Sequence, residues 1–217
     1  MNDPTIISLR EHPDYDLDPY WIDENLRVAR EQLDRIPPHY ANAVTTVPEI
    51  REWVRQLVQG AAAAAGPVGV PRITSGPSLL VLGPVGTGKT YEAYGTIRAL
   101  AASGVRTGWR VATAADIYGA LRPRHGVDSE AEFERCARVG VLVLDDLGAA
   151  KTSEWVEEIN YRLVNWRYER ELPTLITSNL PPKDLGAGLG ERVASRLAEM
   201  TSRVVLDGPD RRRARAA

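Results

Sequence analysis

The chain has 217 residues, 43% hydrophobic and 26% charged, with 27 lysines and arginines against 29 aspartates and glutamates for a net charge of -2. That length suits one well-buried domain with a short appendage, and no apolar run approaches the roughly 20 residues of a membrane span. The balanced charge gives no global pull toward nucleic acid, and the one cysteine, Cys136, excludes an intrachain disulfide or a cysteine-built zinc motif and reads as a small buried hydrophobe.

The N-terminus, "MNDPTIISLREHPDYD", lacks the basic and apolar regions of a secretion signal, so a cytoplasmic location is expected. Residues 1–35 read as an acidic arm followed by an amphipathic helix, a candidate partner-binding segment. Ile22, Leu26, Ala29, Leu33 and Ile36 recur at helical spacing until "PPHY" stops them. A second helix is expected from Thr46, where "TVPE" offers a cap, a proline in the first turn and a glutamate three residues on, with Ile50, Trp53, Val54 and Leu57 as its buried stripe. "GAAAAAGP" is a helix end or linker.

From residue 78 the rhythm becomes strand, loop, helix. "SLLVL" (78–82), "WRVATAA" (109–115), "VGVLVLDD" (139–146), "LPTLITSN" (172–179) and "RVVLD" (203–207) read as strands, and "YEAYGTIRALAAS" (91–103) as a helix. Continuous apolar strands alternating with helices predict an α/β fold, a five-stranded parallel sheet covered on both faces.

"GPVGTGKT" fits the phosphate-loop pattern G-x-x-x-x-G-K-[ST], with a strand before it and a helix after. Gly86 and Gly88 permit the tight turn that aims backbone N–H groups inward, and the helix start adds partial positive charge. The stretch Gly83, Pro84, Val85, Gly86, Thr87, Gly88, Lys89, Thr90 and Tyr91 is thus the expected ATP site. Lys89 would reach the β- and γ-phosphates, and the Thr90 hydroxyl would meet Mg2+. "VLVLDDLG" ends an apolar strand in two carboxylates, a costly ending unless they face a cation. Asp145 is the expected Mg2+ ligand and Asp146 the residue that orients the attacking water. The plain alternative is a strand that ends in a solvated acidic turn.

"GPVGTGKT", "VLVLDDLG", "TLITSNL" and "GERVASRL", in that order, resemble the AAA+ ATPases of the DnaC/IstB-like group, which comprises bacterial and phage helicase loaders and transposition helper ATPases. The likeness runs over roughly residues 36–213. It implies a P-loop NTPase of AAA+ type, a three-layer α/β/α domain over residues 36–217. The shortness of the chain after the fifth strand leads us to expect no full helical lid domain. The resemblance gives Asn179 the role of a sensor between the carboxylates and the γ-phosphate, the alternative being a turn or capping asparagine. It makes Arg196 an arginine finger for a neighbouring subunit, with Arg192 as second candidate and a surface pairing to Glu191 or Glu199 as the plain alternative. "GPDRRR" departs from the family's closing segment by lacking its aromatic residue, so a nucleotide contact by Arg212 or Arg213 stays open.

The same resemblance implies single-stranded DNA along "DIYGALRPRHG" and "GAAKTSEW". Arg122, Arg124 and His125 would meet phosphates, and Trp155 would stack on a base. Trp155 also begins the apolar stripe Val156, Ile159, Leu163 and Trp166, so a core or interface role competes. The expected activity is that of an ATP-dependent helicase loader. Its partners would be a hexameric replicative helicase, single-stranded DNA and its own copies, and no membrane. The alternatives are a transposition helper within the family and, from other classes, a P-loop small-molecule kinase or a nucleotide-gated adaptor.

Overall fold

The structure, a computed structural model, describes residues 8–9, 17–122, 126, 128–149 and 153–211. Among them, five strands form one parallel sheet: β1 (Ser78–Leu82), β2 (Trp109–Thr113), β3 (Val141–Asp145), β4 (Thr174–Ser178) and β5 (Thr201–Val205), in the order β2-β3-β4-β1-β5. The three inner strands are buried at every position, as their unbroken apolar runs require, while the edge strands β2 and β5 are partly exposed. The helices are α1 (Pro19–Leu33), α2 (Pro48–Ala65), α3 (Lys89–Ala102), α4 (Ala114–Leu121), α5 (Ser129–Ala137), α6 (Glu154–Glu169), α7 (Leu185–Leu189) and α8 (Glu191–Met200). None of the described helices is long and apolar enough to cross a membrane.

The chain divides into two compact units, Met1–Gly76 with Thr90–Gly108, and Pro77–Lys89 with Trp109–Ala217. In the first, α1 buries Ile22 and Ala29 as its periodicity predicts, but Leu26 and Leu33 are only half-buried and Asn25 is buried in their place. The Asn25 Nδ2 donates to the carbonyls of Gly104 at 3.0 Å and Pro71 at 3.4 Å, which satisfies its N–H groups, while its Oδ1 is buried without a partner among the described residues. α2 starts at Pro48, two residues later than expected, and its cap position Val47 supplies no side-chain bond. Thr46 lies one residue before the cap position, and its N–H and hydroxyl both donate to the buried Glu92 carboxylate, at 2.9 and 2.8 Å, alongside the Thr45 hydroxyl at 2.8 Å. The alanine run is the end of α2, closed at Gly66 with φ 61°.

In the second unit one face of the sheet forms a single apolar core. Leu80, Leu82, Leu142, Leu144 and Ile176 pack with Ile117 and Tyr118 of α4, Phe133 and Cys136 of α5, Leu163 and Val164 of α6, and Val193 and Leu197 of α8. β2 is shorter than predicted: its last residue, Thr113, also caps the next helix by accepting the Asp116 N–H at 3.0 Å, so Ala114 and Ala115 begin α4. β5 lies two residues earlier than predicted, at Thr201–Val205.

Candidate nucleotide site

The phosphate loop leaves the C-terminal end of β1, the two aspartates follow that of β3, and Asn179 follows that of β4. The order β3-β4-β1 makes these neighbouring ends, so residues far apart in sequence converge at the crevice where parallel sheets bind ligands. A Cβ at Gly83 (φ 154°) would come within 2.3 Å of the Leu206 carbonyl oxygen, and Gly86 and Gly88 take φ values of 87° and 99°. These positions suit glycine, and they shape a loop whose backbone can approach phosphate closely.

Lys89, the first residue of α3, is buried, and its ammonium donates to the carbonyls of Gly83 at 2.7 Å and Pro84 at 2.9 Å and to Asn179 Oδ1 at 2.5 Å. Asn179 Nδ2 in turn donates to Asp146 Oδ1 at 2.8 Å. A line Lys89–Asn179–Asp146 therefore crosses the ends of β1, β4 and β3. Within the phosphate loop, Val85 is exposed and the Thr87 hydroxyl donates to the Pro84 carbonyl at 3.0 Å. Thr90 is half-buried at the second position of α3, and the Tyr91 hydroxyl donates to the Asn42 carbonyl at 3.1 Å.

Asp145 is buried, and Asp146 has φ 57°, a left-handed conformation that aspartate tolerates better than most residues. Thr177, which sequence reasoning missed, joins them. Its hydroxyl donates to Asp145 Oδ1 at 2.5 Å and accepts the Asp146 N–H at 2.9 Å. The signal was its place two residues before Asn179, on the same side of β4. Also missed were Asp210 and Arg211. The Arg211 N–H donates to the Gly86 carbonyl at 2.9 Å, and the Asp210 carboxylate and Arg211 guanidinium pack against Gly86 and Gly88. Arg212 and Arg213, considered for a nucleotide contact, lie outside the described residues.

The donors fit ATP with Mg2+. The loop supplies an ammonium, turned backbone and a helix start, and a carboxylate with a hydroxyl is the hard-oxygen set that Mg2+ takes together with phosphates. Among the described residues no group of three or more His, Cys, Asp or Glu could hold a metal.

Arg192 and Arg196 lie on α8 with their partners on α6 and α8. Arg192 stacks over Tyr161 at 3.8 Å, and Arg196 sits over Tyr168 at 4.6 Å while bonding Asn165 Oδ1 at 3.2 Å and Glu199 Oε2 at 3.0 Å. The pairing to Glu199 is therefore present, and it is exposed enough to stabilise little by itself. Of the DNA candidates, Arg122 closes α4, while Arg124 and His125 lie outside the described residues. Trp155 is half-buried against the apolar core, edge-on to Tyr118 with ring centroids 6.2 Å apart.

The sequence profile of the IstB-like ATP binding protein family matches residues 70–205, which cover the loop, both aspartates, Asn179 and the α8 arginines. The chain belongs to this family. An ATP-binding protein in an insertion sequence of Mycobacterium tuberculosis strain H37Rv is 26% identical over 147 residues, 64% of this chain and 57% of that protein. The chain thus matches little more than half the length of that relative. The crystal structure of the DnaC helicase loader superposes with a TM-score of 0.63 at 25% identity, over 79% of this chain and 100% of that one. The replication initiator DnaA bound to AMPPCP and single-stranded DNA superposes at 0.62 with 19% identity, over 81% and 52%, a likeness of fold alone. The IstB-like chain is accordingly an ATP-binding AAA+ ATPase with the P-loop α/β fold.

Proposed function

We propose that this ATPase is a helicase loader, which assembles with its own copies on single-stranded DNA in the cytoplasm and delivers a hexameric replicative helicase. The observation that carries its ATPase part is the line Lys89–Asn179–Asp146, which joins the phosphate loop to the carboxylate given the water-orienting role. Similarity to the DnaC helicase loader over the whole of that chain supports the loader role.

In this reading Lys89 and the loop backbone hold the phosphates, and Thr90 and Asp145 hold Mg2+, with Thr177 fixing the Asp145 carboxylate. The chemistry that Mg2+ would supply there, held by these residues, is neutralisation of phosphate charge. Asp146 orients that water, and Asn179 shifts between Lys89 and the γ-phosphate. Arg196, or Arg192 beside it, enters a neighbouring copy's site and stabilises developing charge. Arg122, Arg124 and His125 meet DNA phosphates. For Trp155 to stack on a base it would have to leave Tyr118. Residues 1–35 contact the helicase and residues 36–217 form the ATPase.

The insertion-sequence relative favours a second reading, a transposition helper that presents target DNA to a transposase. A reconstitution separates the two. Purified protein, ATP and the host's replicative helicase on circular single-stranded DNA should yield loaded, unwinding-competent helicase, and Lys89→Ala should not. No loading, together with stimulation of the cognate transposase, would replace the first reading by the second.

A further inference from the structure

We infer that Tyr161 and Tyr168 of α6 are positioning residues that hold the α8 arginines for delivery to a second copy of the chain; the inference rests on the shared-site reading above. The tyrosines are seven residues apart and so lie on one side of α6, and the arginines are four apart on one side of α8, so two stacked pairs repeat along one helix–helix seam. Asn165, between the two tyrosines in sequence, accepts from Arg196 Nε at 3.2 Å, and Glu199 accepts from Nη1 at 3.0 Å. Among the described residues that leaves Nη2 as the edge of the guanidinium with no side-chain acceptor. Tyr168 also hydrogen-bonds Glu199, which holds that carboxyl below its ordinary range and keeps it an anion beside the arginine.

An arginine loses much rotamer freedom when it is fixed, so a side chain already ordered by a ring face and two acceptors gives up less on reaching a phosphate. The aromatic face attracts the cation without the full charge of a carboxylate, so the arginine is steered and still able to exchange partners. Four acceptor or ring contacts converging on two arginines of one helix is more than a solvated surface requires.

A complementation assay of ATP turnover tests this. Lys89→Ala keeps the finger and loses the nucleotide site, and Arg196→Ala does the reverse, so their mixture should regain activity. Tyr168→Leu, which keeps apolar bulk but no ring face, should lower kcat about tenfold with little change in KM for ATP, and Tyr168→Phe should recover most of that loss. The deciding arms are the mixtures. Tyr168→Leu with Lys89→Ala should regain activity, because the tyrosine variant still has a sound nucleotide site. Tyr168→Leu with Arg196→Ala should not, because neither copy presents a sound finger. Tyr161→Leu, assayed in the same mixtures, keeps the test open if the Tyr168 variant folds poorly. Full recovery with Arg196→Ala would overturn the positioning role and leave the shared site standing. Failure of the Lys89→Ala and Arg196→Ala mixture, with mixed oligomers shown to form, would instead overturn the shared site.

Discussion

Asp146 and Lys89 work at the two ends of one hydrogen-bonded line, and their substitutions should separate binding from chemistry. Lys89→Ala removes the buried ammonium that reaches Gly83, Pro84 and Asn179, and calorimetry should find ATP affinity lost. Asp146→Asn keeps the shape of the site and can still meet Asn179, but it cannot polarise water. It should bind ATP and lose single-turnover hydrolysis by about 10²-fold or more. Wild-type hydrolysis in Asp146→Asn would remove the water-orienting role. The placing of the phosphate loop, Asp145 and Asp146 at strand ends was legible in the sequence because each stands directly after an unbroken apolar run. Thr177 was less so, because its one signal, a place two residues before Asn179, does not tell which carboxylate it bonds. Cys136 was legible as a buried hydrophobe, and burial pushes its thiol up, so a maleimide should label it only after unfolding.

At the scale of the elements, the least legible group was Arg167 of α6. It is fully buried, and its guanidinium donates to the carbonyls of Cys136, Ala137 and Val139 at 3.1, 3.0 and 2.8 Å and of Pro173 at 2.8 Å, and to the Thr174 hydroxyl at 2.7 Å. It thereby satisfies the end of α5, whose carbonyls would otherwise be orphaned, and ties that end to the start of β4. Burial pulls the guanidinium down to about 9, so it is still charged at neutral pH. An arginine among the charged residues of a helix gives no hint of such a place, since arginine is almost always exposed. Arg167→Met fills the volume but leaves buried acceptors unpaired at about 1–3 kcal/mol each. We expect a loss of at least about 3 kcal/mol, read in calorimetry as a fall in Tm of roughly 6–12 °C. A Tm within 1–2 °C of wild type, on the order of the effect of a surface change, would contradict this account of the α5–β4 junction. Thr46 of the expected cap is a further case, because it donates to Glu92, a residue that no local pattern could supply.

For the whole molecule, strands were the most legible feature, because inner strands buried on both faces must be unbroken apolar runs, and "SLLVL" became β1 without a shift. Their order was not legible from periodicity, which says what a strand buries and nothing about its neighbour. That order is what makes the site, since it puts β4 and its Asn179 between β3 and β1. The arginines of α8 are engaged with α6, and in the shared-site reading they act on a neighbour, so the central claim is that one chain alone is an incomplete enzyme. The most direct measurement is ATP turnover per subunit against protein concentration, with and without single-stranded DNA. An arginine supplied across an interface contributes about 10³-fold or more. Turnover should therefore be near background in dilute monomer, rise as subunits associate, and rise at lower protein concentration when DNA gathers them. Full turnover in dilute monomer, unchanged by concentration or DNA, would contradict the account.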